Sequence, residues 1–181
     1  MTGSQRSELE KLFTASGFSD FRWIKPSKIP TARWVRMKCV FGCPEYGHNA
    51  SCPPNTPSVA ECRNLLDEYS SAAIFHFTKK LSPDEDITRW TRELNISLSK
   101  LETKVFTNDF PKAFVLFVDS CNLCASCAGS REACKNNYRA RPTVEALAID
   151  VYKTAEDAGY PIRACSDRTQ EMNRYAILLV D

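Results

Sequence analysis

The segment from Cys121 to Cys134 carries four thiols in the pattern C-x2-C-x2-C-x6-C, and this spacing constrains the fold more than any other feature of the chain. Side chains at such spacings cannot all lie on one face of a regular helix or strand. In a tight loop, however, their sulfur atoms can converge on one centre. Because iron–sulfur clusters are commonly held in this way, the spacing predicts a metal cofactor bound by Cys121, Cys124, Cys127 and Cys134.

The same spacing favours an iron–sulfur cluster over zinc. Zinc sites often combine two well-separated cysteine pairs, but here all spacers are short and no histidine lies nearby. The segment also differs from the ferredoxin run C-x2-C-x2-C-x3-C-P, whose last cysteine ligates a different cluster. Its last spacer has six residues and Lys135 takes the place of proline. We therefore expect Cys134 to return to the same [4Fe–4S] cluster, with zinc as the alternative.

Another cysteine group lies earlier in the chain, in the spacing C-x3-C-x8-C formed by Cys39, Cys43 and Cys52. These three residues are called the first group, and Cys121, Cys124, Cys127 and Cys134 the second group. We expect residues 31–57, which contain four prolines, to form a long functional loop. Three ligands would leave one coordination position open, as in catalytic metal sites. The candidates for that position are Cys62, Cys165, His48, water and a substrate.

The remaining cysteines and several neighbouring side chains have simpler interpretations. Cys62 and Cys165 are expected to be small buried hydrophobic residues, and His76, within a predicted strand, is expected to be structural. Basic residues flank both groups and could offset the charge of a cluster or bind an anionic substrate: Arg33, Arg36, Lys38, Arg131, Lys135, Arg139 and Arg141. Trp34 and Tyr46 could shield a cluster from solvent.

Composition limits the remaining classes of function. The length of 181 residues suits one domain, 1–181, and a net charge of +2 gives no strong attraction to nucleic acid or membranes. The N-terminal segment lacks the basic and apolar regions of a secretion signal. Nine cysteines in such a chain indicate metal ligands in a reducing cytoplasm rather than disulfides.

Periodicity and breakers predict a mixed order of elements. Helices are expected at 5–15, 58–69, from Ser82 to about 105, and at 143–158; strands are expected at 21–24, 72–78, 113–118, near Ile162 and at 175–180. This order predicts an α/β (α+β) fold with a single mixed sheet of about five strands covered by helices. Two cysteine-rich metal loops, 31–57 and 120–141, would interrupt it.

Several short motifs occur together in the chain: Trp34-Val-Arg-Met-Lys-Cys39, Gly42-Cys43-Pro-Glu-Tyr46-Gly47, Cys52-Pro-Pro54, the Cys121–Cys134 pattern, Ala140-Arg141-Pro142, Glu145-Ala146 and Ile149-Asp150-Val151. From about residue 30 to the C-terminus, this combination resembles a prokaryotic family of predicted metal-binding proteins, a cysteine-rich domain of unknown function. The resemblance implies a cytoplasmic metal-binding protein common in anaerobes, with ligands among Cys39, Cys43, Cys52, Cys121, Cys124, Cys127 and Cys134. It implies no reaction.

The chain departs from the family pattern between Arg141 and Asp150. The family typically has a serine–methionine pair after the proline, and a cysteine or glycine before Ile-Asp. These differences are conservative for a helix packed behind the second cysteine group, and they do not affect the ligands.

Two cysteine groups with unequal numbers of ligands suggest a redox protein. The four-thiol group would transfer electrons, and the three-thiol group would hold a second cluster or metal with an open position. This arrangement would suit an oxidoreductase served by a redox partner protein. The alternatives are a zinc-stabilised binding module and a carrier of metal or clusters. Nucleic-acid binding is the weakest alternative, because basic and aromatic residues are not interleaved.

Overall fold

The computed structural model describes residues 1–80, 82, 85–164 and 170–181, and in it a sheet carries helices on both faces. The described helices are α1 (Gly3–Ala15), α2 (Arg33–Gly42), α3 (Val59–Asp67), α4 (Ile87–Phe106) and α5 (Val151–Asp157). The described strands are β1 (Phe21–Ile24), β2 (Ala72–Lys79), β3 (Phe114–Leu116) and β4 (Met172–Leu179). Two 3-10 turns occupy Pro26–Lys28 and Glu145–Leu147. The predicted α+β class is confirmed.

The sheet has the order β1-β2-β4-β3, and every pair of neighbours is antiparallel. The prediction of about five strands in a mixed sheet was therefore slightly wrong for the described chain. The strand expected near Ile162 is absent, and residues 161–164 are irregular. Pro161 cannot donate to a strand ladder, and Ile162 is the only large aliphatic residue in this short stretch.

The two central strands are buried on both faces, which explains their nearly continuous apolar sequences. In β2, Ala73 and Phe75 face one core while Ala72 and Ile74 face the other. Successive strand residues point to opposite sides, so each face needs its own cover. Helices α1 and α4 pack on the first side, and α3 and α5 pack on the second.

A capping box places α3 where the sequence predicts it. Ser58 caps α3 through a box with Glu61, as expected for serine followed three residues later by glutamate. The start of α4 was predicted too early, at Ser82: the helix begins at Ile87, and the Asp86 side chain accepts from the Thr88 N–H at 2.8 Å. Residues 83 and 84 lie outside the described residues. No described helix is long and apolar enough to cross a membrane.

Two predictions near the cysteine groups were wrong. Residues 31–57 are not loop throughout, because α2 occupies Arg33–Gly42; the four prolines of this range all follow the helix, so none interrupts it. The helix expected at 143–158 is divided by Ala148, which has a left-handed φ of 57°. A new helix, α5, then begins with Asp150 as its cap.

Candidate metal centre

The four cysteines of the 121–134 segment line one small cavity of about 20 Å³. Asn49, Ala50 and Ser51 complete part of its wall from the other cysteine-bearing segment. All four thiols are free. The structure therefore brings together the four residues that spacing alone grouped, and residues 120–141 contain no helix or strand.

Two of these sulfur atoms accept hydrogen bonds from nitrogen donors. The Ala50 backbone N–H donates to Cys127 Sγ at 3.3 Å, and Asn136 Nδ2 donates to Cys124 Sγ at 3.0 Å. Donors of this kind stabilise a thiolate relative to a neutral thiol. Hydrogen bonds to ligand sulfurs also set the reduction potential of iron–sulfur clusters, so the surroundings suit thiolate ligands.

Cys121 is half-buried and packs against the hydrophobic core. Burial raises the pKa of its thiol, while the backbone N–H groups of Leu123 and Arg141 and the Ser51 hydroxyl act in the opposite direction. Without a cation the neutral thiol is favoured. Since a metal ligand must be a thiolate, metal binding here would release a proton.

Asn95 of α4 braces the entry to the cysteine segment from a fully buried position. Its Oδ1 accepts from the Val118 N–H at 3.3 Å, and its Nδ2 donates to Asn122 Oδ1 at 3.0 Å and to the Asp119 carbonyl at 3.3 Å. One helix side chain thereby satisfies backbone groups on the loop that leaves β3. Such buried groups are costly when unpaired, so Asn95 fixes where this loop begins.

A buried ion pair holds the exit of the same segment. Arg141 Nε donates to both carboxylate oxygens of Glu102, at 3.1 and 2.9 Å. The Glu102 carboxylate also accepts from the Val115 N–H at 2.9 Å. The guanidinium stacks over the Phe114 ring, 5.1 Å from its centroid. Helix α4 therefore positions both ends of the cysteine segment.

Hydrogen bonds join the two cysteine-bearing segments. Asn49 Nδ2 donates to the Cys121 carbonyl at 3.0 Å, and Asn55 Nδ2 donates to the Gly129 carbonyl at 3.0 Å. Gly129 has a φ of +81°, a conformation that suits glycine. The two groups are therefore neighbours, a point that the sequence left open.

The first group lines a much larger cavity of about 410 Å³. Cys39 projects from α2, Cys43 follows directly after its end, and Cys52 comes from the loop beyond. Cys52 Sγ lies 3.6 Å from Ser120 Oγ, beside the first cysteine of the other group. The predicted aromatic neighbours Trp34 and Tyr46 also line this cavity.

The thiols of the first group interact electrostatically. Burial raises the pKa of Cys39, with Cys43 adding to the increase and Arg36 opposing it. Burial raises the pKa of Cys52 to about 12, with the Ser120 hydroxyl opposing and Cys43 adding to the increase. Three nearby thiols would repel one another as thiolates, and a bound cation would relieve this repulsion.

As they stand, the described residues contain no group of three or more His, Cys, Asp or Glu side chains arranged to hold a metal ion. The donor set nevertheless fits in chemical kind, because thiolates select zinc and iron–sulfur clusters. The four-thiol group with its two N–H···S contacts fits best.

Among the candidates for the open position of the first group that the structure describes, Cys62 and His48 do not line the large cavity. Cys62 is fully buried on α3 with its Sγ 3.6 Å from the Pro57 carbonyl. His48 is exposed, and Cys165 lies outside the described residues. His76 stacks on Tyr175 and contacts Asp20 and Asn173 through its ring nitrogens, in keeping with a structural role.

The flanking cations divide into those at the cavities and those used elsewhere. Lys38 lines the large cavity and Lys135 lines the small one. The other predicted cations contact protein groups or solvent: Arg36 donates to the Pro57 and Ala146 carbonyls, Arg131 to Ser51, Arg139 to Ser99 and Arg141 to Glu102, while Arg33 is exposed.

Three charged residues in the large cavity were not predicted as site residues: Asp119, Glu145 and Arg174. Burial raises the pKa of Glu145, and its own backbone N–H, Thr143 and Arg174 oppose the increase. Glu145 belongs to a motif that carried the family resemblance, and Asp119 lies two residues before Cys121. Arg174 directly precedes the apolar strand sequence 175–180. A charged residue beside a buried strand is the signal by which it could have been predicted as a site residue.

The fold and the site together define an α+β protein with two neighbouring thiol-lined cavities. The family model described as predicted metal-binding proteins (DUF2284) matches residues 22–180, and the chain belongs to this family, whose function is unknown. The expected resemblance is confirmed. Comparison with curated proteins and with solved structures found no match.

Proposed function

We propose that the protein is an iron–sulfur protein with two cysteine-ligated sites. Cys121, Cys124, Cys127 and Cys134 would hold a [4Fe–4S] cluster for electron transfer. The observation that carries this proposal is the shared small cavity of these four thiols, two of which accept N–H···S hydrogen bonds. Membership of a predicted metal-binding family supports the coarser statement that the chain binds metal.

The first cysteine group, Cys39, Cys43 and Cys52, would form the other site and would keep one coordination position open. Its thiols face a cavity large enough for a small molecule, whereas the cavity of the four-thiol group is not. Bound clusters would supply one-electron transfer at both sites. Chemistry belongs at the first group, with the 121–134 segment as its electron source. A redox partner protein would deliver electrons near Cys127, which is exposed.

Anaerobic purification followed by iron, sulfide and zinc analysis tests the proposal. We expect iron with labile sulfide, absorbance near about 400 nm and a paramagnetic signal on reduction. Stoichiometric zinc without labile sulfide would contradict the proposal and favour a zinc-stabilised binding module. Rapid transfer of the metal to an apo-acceptor would instead favour a carrier.

Cysteine variants locate the cluster. Cys124→Ser should lower the iron and sulfide content, because it replaces a thiolate ligand. Cys62→Ser is the matched control, since Cys62 is buried outside both cavities, and it should leave the iron content unchanged. Equal iron loss in both variants would point to a folding defect and remove the assignment.

The hydrogen bond to Cys124 gives a second test. Asn136→Ala removes the 3.0 Å donor to that sulfur, which should lower the reduction potential because the donor stabilises the more negative reduced cluster. Asn137→Ala, at an exposed neighbouring residue, should leave the potential unchanged. Redox titration followed by absorbance measures both.

A further inference from the structure

The cavity beside Cys39, Cys43 and Cys52 has a mainly apolar wall and charged groups of both signs. Val118, Ile149 and Val151 line it, with Trp34 and Tyr152 at exposed positions. Its volume of about 410 Å³ falls within the usual range of small-molecule sites. An organic group would remove this apolar surface from water, whereas an inorganic ion would leave most of it exposed.

The hydrogen-bonding groups of this cavity are unequally satisfied. The Glu145 carboxyl interacts with the Thr143 hydroxyl and with its own backbone N–H. An Asp119 carboxylate oxygen accepts from the Ser120 N–H at 2.8 Å. Arg174 Nε, by contrast, is buried and has no hydrogen-bond partner among the described residues. The missing group is therefore an acceptor, and a buried donor without one is costly.

Strand β4 fixes where this donor lies. Arg174 pairs in register with Phe77 of β2, beyond the residues at which β1 and β3 pair with the two central strands. A guanidinium matches the planar geometry of a carboxylate better than an ammonium does. Lys38 of α2 lines the same cavity and adds a second cation.

We propose that this cavity binds a small organic carboxylate, with the carboxylate group accepting from Arg174 and the apolar part lying against Val118, Ile149 and Val151. Lys38 adds electrostatic attraction. The proposal extends the proposed function in one respect, since the ligand would lie beside the open position of the first cysteine group and would define its substrate class.

Three probes test the carboxylate requirement: benzoate, the neutral benzamide of similar size, and inorganic phosphate, an anion without an apolar part. Dissociation constants are measured by ligand-observed NMR on the protein as isolated anaerobically. We expect benzoate to bind about tenfold or more tightly than benzamide, since a charge-assisted hydrogen bond is replaced by a neutral one. Equal binding of benzoate and benzamide would overturn the proposal, and so would displacement of benzoate by equimolar phosphate.

Variants locate the carboxylate contact. Arg174→Met should weaken benzoate binding about tenfold or more and weaken benzamide binding by a smaller factor, because benzamide loses only a neutral hydrogen bond. Arg89→Met, at an exposed arginine of α4, should change neither. Circular dichroism checks that Arg174→Met folds; if it does not, Arg174→Lys and the comparison of probes on the wild-type protein decide the proposal. Undiminished benzoate binding by folded Arg174→Met would overturn it.

Iron and sulfide are measured on the same samples, so that the two proposals can fail separately. Benzoate binding that depends on Arg174 in a zinc-containing or metal-free sample would support the carboxylate site and contradict the cluster assignment. A sample with full cluster content that binds benzoate and benzamide equally would support the cluster assignment and contradict the carboxylate site. Benzoate binding lost in Cys43→Ser but kept in Arg174→Met would place the carboxylate on the metal and overturn the proposal.

Discussion

The ion pair at the exit of the cysteine segment should be a large contributor to stability. Glu102→Gln keeps an acceptor for the Val115 N–H but leaves the Arg141 guanidinium without its anion. The Arg141 and Glu102 side chains are only 18% and 11% exposed. Removing one partner of a buried pair costs about 3–5 kcal/mol. Because the amide retains one hydrogen bond, we expect a loss of about 3 kcal/mol in the free energy of unfolding.

The same helix provides the control. Glu93→Gln breaks a pair with Arg89 whose side chains are 64% and 82% exposed, and exposed pairs contribute about 1 kcal/mol or less. Urea unfolding of both variants measures the difference, and for Glu102→Gln the thermal midpoint should fall by about 6–12 °C. Indistinguishable urea midpoints for the two variants would refute the reasoning. Adding Arg141→Met to Glu102→Gln should recover part of the loss, because the unpaired charge is removed.

Two further predictions concern backbone strain and pH. Gly159→Ala should cost about 1–2 kcal/mol by urea unfolding, because φ is +75°. The new Cβ would also meet the end of the Arg22 side chain, which can move away. Gly42→Ala, where space is open, is the control and should not destabilise. In metal-free protein, the pKa of Cys52 near 12 exceeds the usual value of about 8.5. The folded state, which keeps this thiol neutral, is favoured fully at a pH below the pKa of the unfolded chain. This contribution to the free energy of unfolding disappears as the pH rises towards 12. Urea midpoints should therefore fall above about pH 9, and they should fall less in Cys52→Ala. An equal fall in both proteins would contradict a raised pKa of Cys52 in the folded state.

Local signals were sufficient for much of the fold. Ser58 followed by Glu61 indicates a helix start, and the apolar sequence of 72–78 indicates a buried strand. The structure has both features. These predictions succeed because the capping contacts and the strand preference are encoded within a few adjacent residues.

The errors arose where distant parts of the chain decide the structure. The left-handed Ala148 is held by contacts with a remote segment: the Ala32 N–H donates to the Ala148 carbonyl at 2.8 Å, and the Asp150 N–H donates to the Pro30 carbonyl at 2.9 Å. No local pattern predicts that an alanine will adopt this conformation. Cysteine spacing, likewise, could not show that α2 carries Cys39.

The candidate site was predictable only where its residues lie close together in the sequence. Close spacing identified Cys121 and its three partners, because ligands on one short loop must lie near one another. Arg174 is separated from Cys39 by more than half of the chain, and its strand joins the sheet beside the cavity through the pairing of β4 with β2 and β3. Such a residue gives no spacing signal.

The asparagine bridges between the two cysteine segments imply that the two sites assemble together. Asn49 and Asn55 tie the first segment to the Cys121 and Gly129 carbonyls, so ordering either segment lowers the entropy lost when the other is ordered. Loading of the two sites should consequently be coupled, with the site filled first increasing the affinity of its neighbour. A stepwise reconstitution would then yield mostly empty and doubly filled molecules, with few that hold a single centre.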